Sequence, residues 1–112
     1  MIDGYKFGEF VIDKKVYKSN VELVGTLVKI HRYLPDHELS LDDFTSLVNS
    51  KPEVIIIGTG AYGVVKPPKT IIDFIEKQKI KVIVQKTGDA CKTYNEMLKQ
   101  GKKVVALLHN TC

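Results

Sequence analysis

The 112-residue chain has few of the residues that mark disulfide-rich or membrane-spanning proteins. It has two cysteines, Cys91 and Cys112, which are too few for a disulfide framework and are typical of a reducing compartment. No apolar run exceeds five residues, whereas a membrane-spanning helix needs about 18. The first residues have no basic patch followed by an apolar stretch, so no secretion signal is predicted. We therefore expect a cytoplasmic protein without a membrane partner.

Arginine and tryptophan are nearly absent as well. Arg32 is the only arginine, there is no tryptophan, and the net charge is +4. Residues 1–50 carry six basic and eight acidic side chains, whereas residues 51–112 carry eleven lysines and five acids. These lysines are scattered rather than interleaved with aromatic residues. The chain therefore lacks a group of arginines that could hydrogen-bond to base edges, and it lacks aromatic side chains beside these lysines on which bases could stack. We interpret the positive charge as a solvated surface and predict no nucleic-acid partner.

The composition that remains is that of a folded domain. Hydrophobic residues make up 44% and charged residues 27% of the chain, which is far from the composition of disordered chains. A chain of this length buries roughly two thirds of its unfolded surface, enough for one core. We therefore predict a single domain over residues 1–112.

The second half of the chain alternates buried strands with helices. The runs "EVIII", "KVIVQ" and "KVVALLH" read as strands covered on both faces. Between them, a helix is predicted over about residues 69–79, and a second is predicted to be capped by Thr87 or Asp89 and to end at Gly101. Right-handed crossovers would make the three strands parallel neighbours. The prediction is an α/β fold with a mostly parallel central sheet and helices packed on it.

The first half of the chain is less regular. Residues 1–18 read as short antiparallel strands that bend at Gly8, and we expect them to pair with one another or to extend the parallel sheet. A strand is predicted near residues 26–32. Ser40 resembles a helix N-cap, with Asp43 three residues later, and apolar spacing predicts a helix over residues 41–49.

Three glycines after the first buried strand have the spacing of a dinucleotide-binding motif. Gly58, Gly60 and Gly63 spell G-x-G-x-x-G, but the motif requires a helix directly behind it to hold the pyrophosphate. Here the segment "VVKPP" intervenes, and Lys86 follows the next strand where an acidic residue should hold the ribose. We interpret the glycines as an exit loop from the strand and predict no cofactor.

Ligands of parallel α/β sheets bind beyond the carboxyl ends of the strands. If the three buried strands are parallel, hydroxyls, a cation, an imidazole and free backbone donors converge at that edge. The residues that would form a small-anion or metabolite site are Gly58, Thr59, Gly60, Lys86, Thr87 and His109.

Catalytic and metal-binding residues are not evident. Cys112 stands at the end of the chain and Cys91 falls in a helix without a neighbouring activator, so neither is predicted to be a nucleophile with His109 as its base. These three residues are also too few for a structural zinc site. No spacing relates His31 and His37 to each other or to His109, and we expect both at the surface.

The second half of the chain resembles a known family. A buried strand ending in Gly-Thr-Gly, a short glycine loop, the triplet at residues 93–95 (Thr-Tyr-Asn) and a Leu-His-x-Thr-Cys tail are similar to a small uncharacterised α/β domain. Archaeal and bacterial proteins, the animal adipogenesis-associated protein and a mitochondrial complex I assembly factor share that domain. The resemblance covers residues 53–112, whereas residues 1–50 match in layout only, and Ala61 and Tyr62 depart from the usual loop. It implies this fold and no assigned chemistry, and its assembly factor points to protein partners.

Two functions are consistent with these features. The first is a non-enzymatic binding or assembly module, which would contact a protein partner or a second copy of itself through the Tyr62–Val65 loop, since apolar residues beside prolines are hard to bury. The second is a small-anion or metabolite-binding protein, or an enzyme, with a pocket at the carboxyl ends of the parallel strands.

Overall fold

The structure is a computed structural model that describes residues 1–112, with eight β-strands and three α-helices. The strands are β1 (Ile2–Lys6), β2 (Glu9–Ile12), β3 (Lys15–Tyr17), β4 (Val21–Val24), β5 (Leu27–Ile30), β6 (Val54–Gly58), β7 (Lys81–Gln85) and β8 (Val104–Leu108). The α-helices are α1 (Thr45–Asn49), α2 (Lys69–Glu76) and α3 (Thr87–Lys99), and two 3-10 turns cover Pro35–His37 and Leu41–Phe44.

The central sheet has five strands in the order β5-β4-β8-β6-β7. Strand β6 is parallel to both β7 and β8, which confirms the predicted β-α-β-α-β unit and the α/β class. Beyond β8 the sheet continues with β4 and β5, which are antiparallel. The sheet is therefore mixed, because a tight β4–β5 hairpin extends the parallel unit on one side.

The first three strands form a separate sheet. Strands β1, β2 and β3 pair in sequence order and are antiparallel, and Gly8 makes the first turn with a φ of +83°. The prediction that the N-terminal strands pair with one another is confirmed for these three. Strand β5 lies within the range predicted for a strand near residues 26–32, whereas β4 was not predicted.

The hydrophobic core lies on both faces of the central sheet. Residues of β6 are buried throughout and alternate between the two sides. On one side Ile56 packs with the small sheet and with Ala90 and Tyr94 of α3. On the other side Ile57 packs with Ile75 of α2, together with residues of the segment that contains the 3-10 turns and α1. Strands β6 and β8 are buried at every position, as the sequence predicted. The prediction that β7 is covered on both faces is wrong, because β7 is an edge strand with Lys81 and Val84 exposed.

The helices lie where the sequence predicted them, with two differences at their ends. Helix α2 ends at Glu76 rather than at about residue 79. The predicted helix over residues 41–49 is a 3-10 turn that continues into α1. Helix α3 ends before Gly101, whose φ of +76° is the left-handed conformation of a helix stop. The predicted cap at Thr87 or Asp89 is wrong, because both residues lie inside the helix and Lys86 is its N-cap residue. The Thr87 hydroxyl has other partners, which are described below.

Candidate functional site

The carboxyl ends of β6, β7 and β8 meet at one edge of the sheet, as predicted. The Thr87 side chain joins them, because its hydroxyl accepts a hydrogen bond from the Gly60 backbone N–H (2.8 Å) and donates one to the His109 carbonyl (2.8 Å). The Thr87 N–H in turn donates to the Gly60 carbonyl (3.0 Å). Thr87 is fully buried, so its hydroxyl connects the strand ends and has no exposed face.

Thr59 and Gly58 are also used within the protein. The Thr59 hydroxyl donates to the Gln85 carbonyl (3.1 Å), and the Thr59 N–H donates to the same oxygen (2.9 Å). A Cβ atom on Gly58 would lie 2.8 Å from Leu108 and 2.9 Å from the Thr87 hydroxyl. Gly58 is therefore required for close packing of the strand ends, which is a structural role.

The glycine loop after β6 binds the end of the chain. The N–H groups of Tyr62 and Val64 both donate to the backbone oxygen of Cys112 (3.2 and 3.0 Å), and the Ala61 N–H donates to the Thr111 carbonyl (2.8 Å). Gly60, with a φ of +103°, leaves no room for a side chain, since a Cβ atom there would lie 2.1 Å from the Cys112 carbonyl carbon. The backbone N–H groups that could have bound an anion thus donate to backbone oxygens of the protein itself.

The cation among the predicted site residues lies outside this hydrogen-bond network. Lys86 is exposed, and its side chain passes over Gly63, with its Cγ and Cε atoms 3.4 and 3.5 Å from the position a Gly63 Cβ would take. The structure therefore brings Gly58, Gly60, Thr87 and His109 together through hydrogen bonds and packing. As a ligand site, the six-residue set stays a prediction.

His109 is buried against a second histidine. Its Nε2 atom lies 3.2 Å from Nδ1 of His37, with the rings edge-to-face, and its own Nδ1 is buried without a hydrogen-bond partner. Burial, and after it the neighbouring His37, lowers the pKa of His109 to about 4. The expectation that His37 has no relation to His109 is wrong, because the 3-10 turn at Pro35–His37 folds back onto the end of β8. His109 is therefore a neutral imidazole at neutral pH.

His31 is likewise not a surface residue. It is buried between two carboxylates, with Nδ1 3.0 Å from Glu22 and Nε2 2.8 Å from Asp43. Asp43 also accepts hydrogen bonds from Arg32 Nε (2.7 Å) and from the Ser40 backbone N–H (2.7 Å). Burial acts to raise the pKa of Asp43, but the hydrogen bonds from Arg32, Ser40 and His31 outweigh it and hold this pKa below its ordinary value. The cluster ties β4 and the end of β5 to the 3-10 turn before α1.

The strand ends enclose no empty cavity, and the free volume lies in open clefts beside them. The space enclosed by Ile57, Gly58, Leu108 and His109 has no room for a water molecule. The adjacent open clefts are one of about 280 Å³ beside Asn20 and His109, and one of about 450 Å³ between His37 and Lys66. No group of three or more His, Cys, Asp and Glu side chains is placed to hold a metal ion.

The two cysteines differ in environment. Cys91 is buried in α3, and burial raises the pKa of its thiol to about 12, so the thiolate that a nucleophile requires does not form at neutral pH. Cys112 is half-buried and unpaired. Its backbone oxygen accepts the hydrogen bonds from the glycine loop.

An exposed aromatic pair lies beside the glycine loop. The rings of Phe7 and Tyr62 are 5.9 Å apart between centroids, and the two residues are 52% and 71% exposed. Val64, two residues after Tyr62 in the chain, is also exposed, whereas Val65 is buried in the core, so its predicted place in an exposed patch is wrong. We call Phe7, Tyr62 and Val64 the aromatic patch.

The pairing of Phe7 with Tyr62 and of His37 with His109 could not be read from the sequence. Both contacts join segments that are far apart in the chain and have no common periodicity. For Phe7, the turn at Gly8 was visible, but not its contact with Asn110. The Gly8 N–H donates to the Asn110 carbonyl (3.0 Å), and the Asn110 side-chain amide donates to the Gly8 carbonyl (3.1 Å).

Comparison with known proteins places the chain among small proteins without an assigned activity. The family described as "Protein of unknown function (DUF498/DUF598)" matches residues 2–109. The 13 kDa major membrane protein of Francisella tularensis subsp. holarctica is 29% identical over 112 residues, which cover 93% of this chain and 85% of that protein.

Two solved structures are similar over nearly the whole chain. The conserved hypothetical protein PH1505 from Pyrococcus horikoshii has a TM-score of 0.85 at 21% identity, with coverage of 100% of this chain and 99% of that one. An outer membrane protein from Bartonella henselae has a TM-score of 0.85 at 21% identity, with coverage of 99% and 94%. These likenesses show the fold. Two of the three proteins are named for a membrane, and none of the helices of this chain is long and apolar enough to cross one.

Proposed function

The chain belongs to the DUF498/DUF598 family of proteins of unknown function, and we propose that it is a non-enzymatic binding or assembly module that contacts a protein partner through the aromatic patch. The observation that carries this proposal is the exposed Phe7–Tyr62 ring pair. Aromatic side chains are enriched among the residues that dominate the binding energy of protein interfaces. Two such rings side by side in solvent favour a contact surface.

The loop that presents the patch is held in place by its backbone. The N–H groups of Tyr62 and Val64 bond the Cys112 oxygen, and the Val65 N–H donates to the Thr59 carbonyl (3.1 Å). The buried Val65 side chain anchors the loop from below. A loop that is already ordered loses little conformational entropy when a partner binds, which favours affinity.

The strand-end residues support a structural role more than a chemical one. The hydroxyls of Thr59 and Thr87 donate to carbonyl groups of the protein itself, and the loop donors bond the Cys112 oxygen. An anion at this edge would have to displace these bonds. This cost favours the binding module over the small-anion or metabolite site.

A quantitative pull-down from extracts of the source cells tests the proposal. The wild-type protein, Phe7→Ser and Tyr62→Ser are compared at native abundance, with Val16→Ser as the control because Val16 is an exposed apolar residue on β3. We expect the recovery of at least one partner to fall by about tenfold or more with each patch variant, since an aromatic contact residue contributes on the order of 1–2 kcal/mol of binding free energy. The same partner should remain with the control.

Equal recovery of every partner by the patch variants and the control would refute the proposal that the aromatic patch binds a protein partner. A separate thermal-shift measurement with inorganic phosphate and nucleotides addresses the other function, because a ligand at about 100 times its Kd adds roughly 2.7 kcal/mol of stability. A clear shift that Lys86→Ala removes would favour the small-anion site instead.

We also infer that the adipogenesis-associated protein and the mitochondrial complex I assembly factor share this fold. The motif residues of the resemblance have structural contacts here that support the inference. The Tyr94 hydroxyl donates to the Gly25 carbonyl (2.6 Å), and the Asn95 side chain bonds both the N–H and the carbonyl of Ile2 (2.8 Å each). These contacts join α3 to β1 and to the β4–β5 turn.

We further propose a cytoplasmic location. The support for it is that both cysteines are free, since unpaired thiols are typical of proteins in a reducing compartment.

A further inference from the structure

We propose that the chain forms a two-fold symmetric dimer in which strand β5 pairs antiparallel with β5 of a second copy, with Ile30 at the centre of the pairing. This surface is separate from the aromatic patch, and the inference does not depend on the proposed function. It begins from the position of β5, which is an edge strand of the central sheet and pairs only with β4.

The direction of the free backbone groups on β5 follows from the hydrogen bonds on its other side. The His31 N–H donates to the Asn20 carbonyl (2.8 Å), so this pair is a hydrogen-bonded pair of the β4–β5 ladder. Such pairs alternate along an antiparallel ladder. Ile30, opposite Val21, and Val28, opposite Leu23, are therefore non-hydrogen-bonded pairs. The N–H and carbonyl groups of Ile30 and Val28 therefore point away from β4, toward the open edge of the sheet.

The side chains along this edge are unusually apolar for an exposed strand. Leu27, Ile30 and Tyr33 are 69%, 68% and 77% exposed, and Lys29 is the only charged residue of β5. Edge strands of monomeric proteins are commonly protected by charges, prolines or bulges, because an open edge is a template for pairing with another chain. A single lysine is little protection for this edge.

The spacing of the apolar residues indicates a second copy as the occupant. Leu27 and Tyr33 stand three residues before and three after Ile30. An antiparallel two-fold pairing centred on Ile30 therefore places Ile30 opposite Ile30 of the second copy. It also places each Leu27 near the Tyr33 of the other copy, and such aliphatic and aromatic cross-strand pairs stabilise sheets.

Pairings centred on the other three residues of β5 fit less well. One centred on Leu27 would leave Ile30 without a partner on β5 of the second copy, because the position opposite it is Val24, beyond the turn in β4. A pairing centred on Lys29 would bring two ammonium groups directly opposite each other, which is destabilising. A pairing centred on Val28 would place Leu27 opposite Lys29 and Ile30 opposite Thr26.

The pairing centred on Ile30 also places Val28 opposite Arg32 and Lys29 opposite His31. It alone gives all three exposed apolar residues, Leu27, Ile30 and Tyr33, an apolar partner. It joins the two central sheets into one of ten strands, since each copy contributes five.

Sedimentation velocity from micromolar to millimolar concentration tests the dimer. We expect the wild-type protein to form a dimer whose fraction rises with concentration, and Ile30→Glu and Ile30→Lys each to remain monomeric, because like charges then meet at the two-fold centre. An equimolar mixture of the two variants should form the dimer again, which a misfolded protein could not do. Val84→Glu, on the opposite edge strand β7, is the control and should dimerise as the wild type does.

A wild-type protein that stays monomeric throughout this range would overturn the proposal. A dimer that Ile30→Glu leaves intact would do so as well, and a dimer lost in Tyr62→Ser but kept in Ile30→Glu would place self-association at the aromatic patch instead.

Discussion

At the scale of single residues, Gly60 is the position where a small change has the largest expected effect. We predict that Gly60→Ala lowers the free energy of unfolding by about 2–4 kcal/mol, because the new methyl group needs the space of the Cys112 carbonyl carbon and Gly60 has a positive φ. Urea denaturation measures the loss. Gly88→Ala is the matched control, since a Cβ atom at Gly88 meets nothing within 4 Å, and it should change stability by less than about 1 kcal/mol.

Equal stabilities of Gly60→Ala and Gly88→Ala would show that residues 111–112 do not pack on the glycine loop as described. The sequence indicated that Gly58 and Gly60 form an exit loop, because proline rather than a helix follows them. It could not indicate what fills the loop. That depends on residues 111–112, which lie far away in the chain and have no pattern that relates them to Gly60.

At the scale of structural elements, Asp43 joins the segment before α1 to the central sheet. We predict that Asp43→Asn lowers the free energy of unfolding by about 2–4 kcal/mol, because the carboxylate accepts hydrogen bonds from Arg32, His31 and Ser40 in a buried place. Chemical denaturation provides the comparison. Asp42→Asn, on the exposed neighbour, should be nearly neutral, and a similar loss in both variants would contradict a specific role for the buried cluster.

The same elements show which parts of the fold could be predicted from the sequence. Strands β6 and β8 are apolar at nearly every position, and β7 has three apolar residues between Lys81 and Gln85. Pro68 precedes α2 and Gly101 follows α3, so this unit could be predicted. Strand β4 could not, because its second residue, Glu22, is a charged residue that is buried. Its carboxylate is paired with His31 and with Ser46 (2.9 Å), and such pairing is a property of tertiary structure.

At the scale of the whole molecule, the sequence predicted the edge where the strand ends meet. It did not predict whether the polar groups at this edge bind a ligand or one another. Parallel topology requires that Gly60, Thr87 and His109 come together, and they do. Whether their polar groups face a ligand or one another depends on side-chain packing, which composition and spacing do not report. In this protein Thr87 bonds both neighbours, and His109 turns inward to His37.

The buried His109 gives the molecule a pH-dependent stability. Its pKa is lowered from 6.5 to about 4 in the folded protein, first by burial and then by His37. As the pH falls through about 6.5, the unfolded chain takes up a proton at this residue, whereas the folded protein does so only near pH 4. The unfolded state therefore binds more protons in this window, and the contribution of His109 to stability falls as the solution is acidified, while above about pH 6.5 it is constant.

Urea denaturation of the wild type and of His109→Gln at about pH 7 and about pH 5 measures this contribution. We expect the wild type to lose more stability on acidification than the variant, with a difference on the order of 1–2 kcal/mol. His37→Asn removes the second cause, so the pKa of His109, followed by NMR of the ring protons, should rise. Asparagine suits the positive φ of His37, which is 57°. The same loss of stability in the wild type and in His109→Gln would contradict the buried, neutral imidazole at the end of β8.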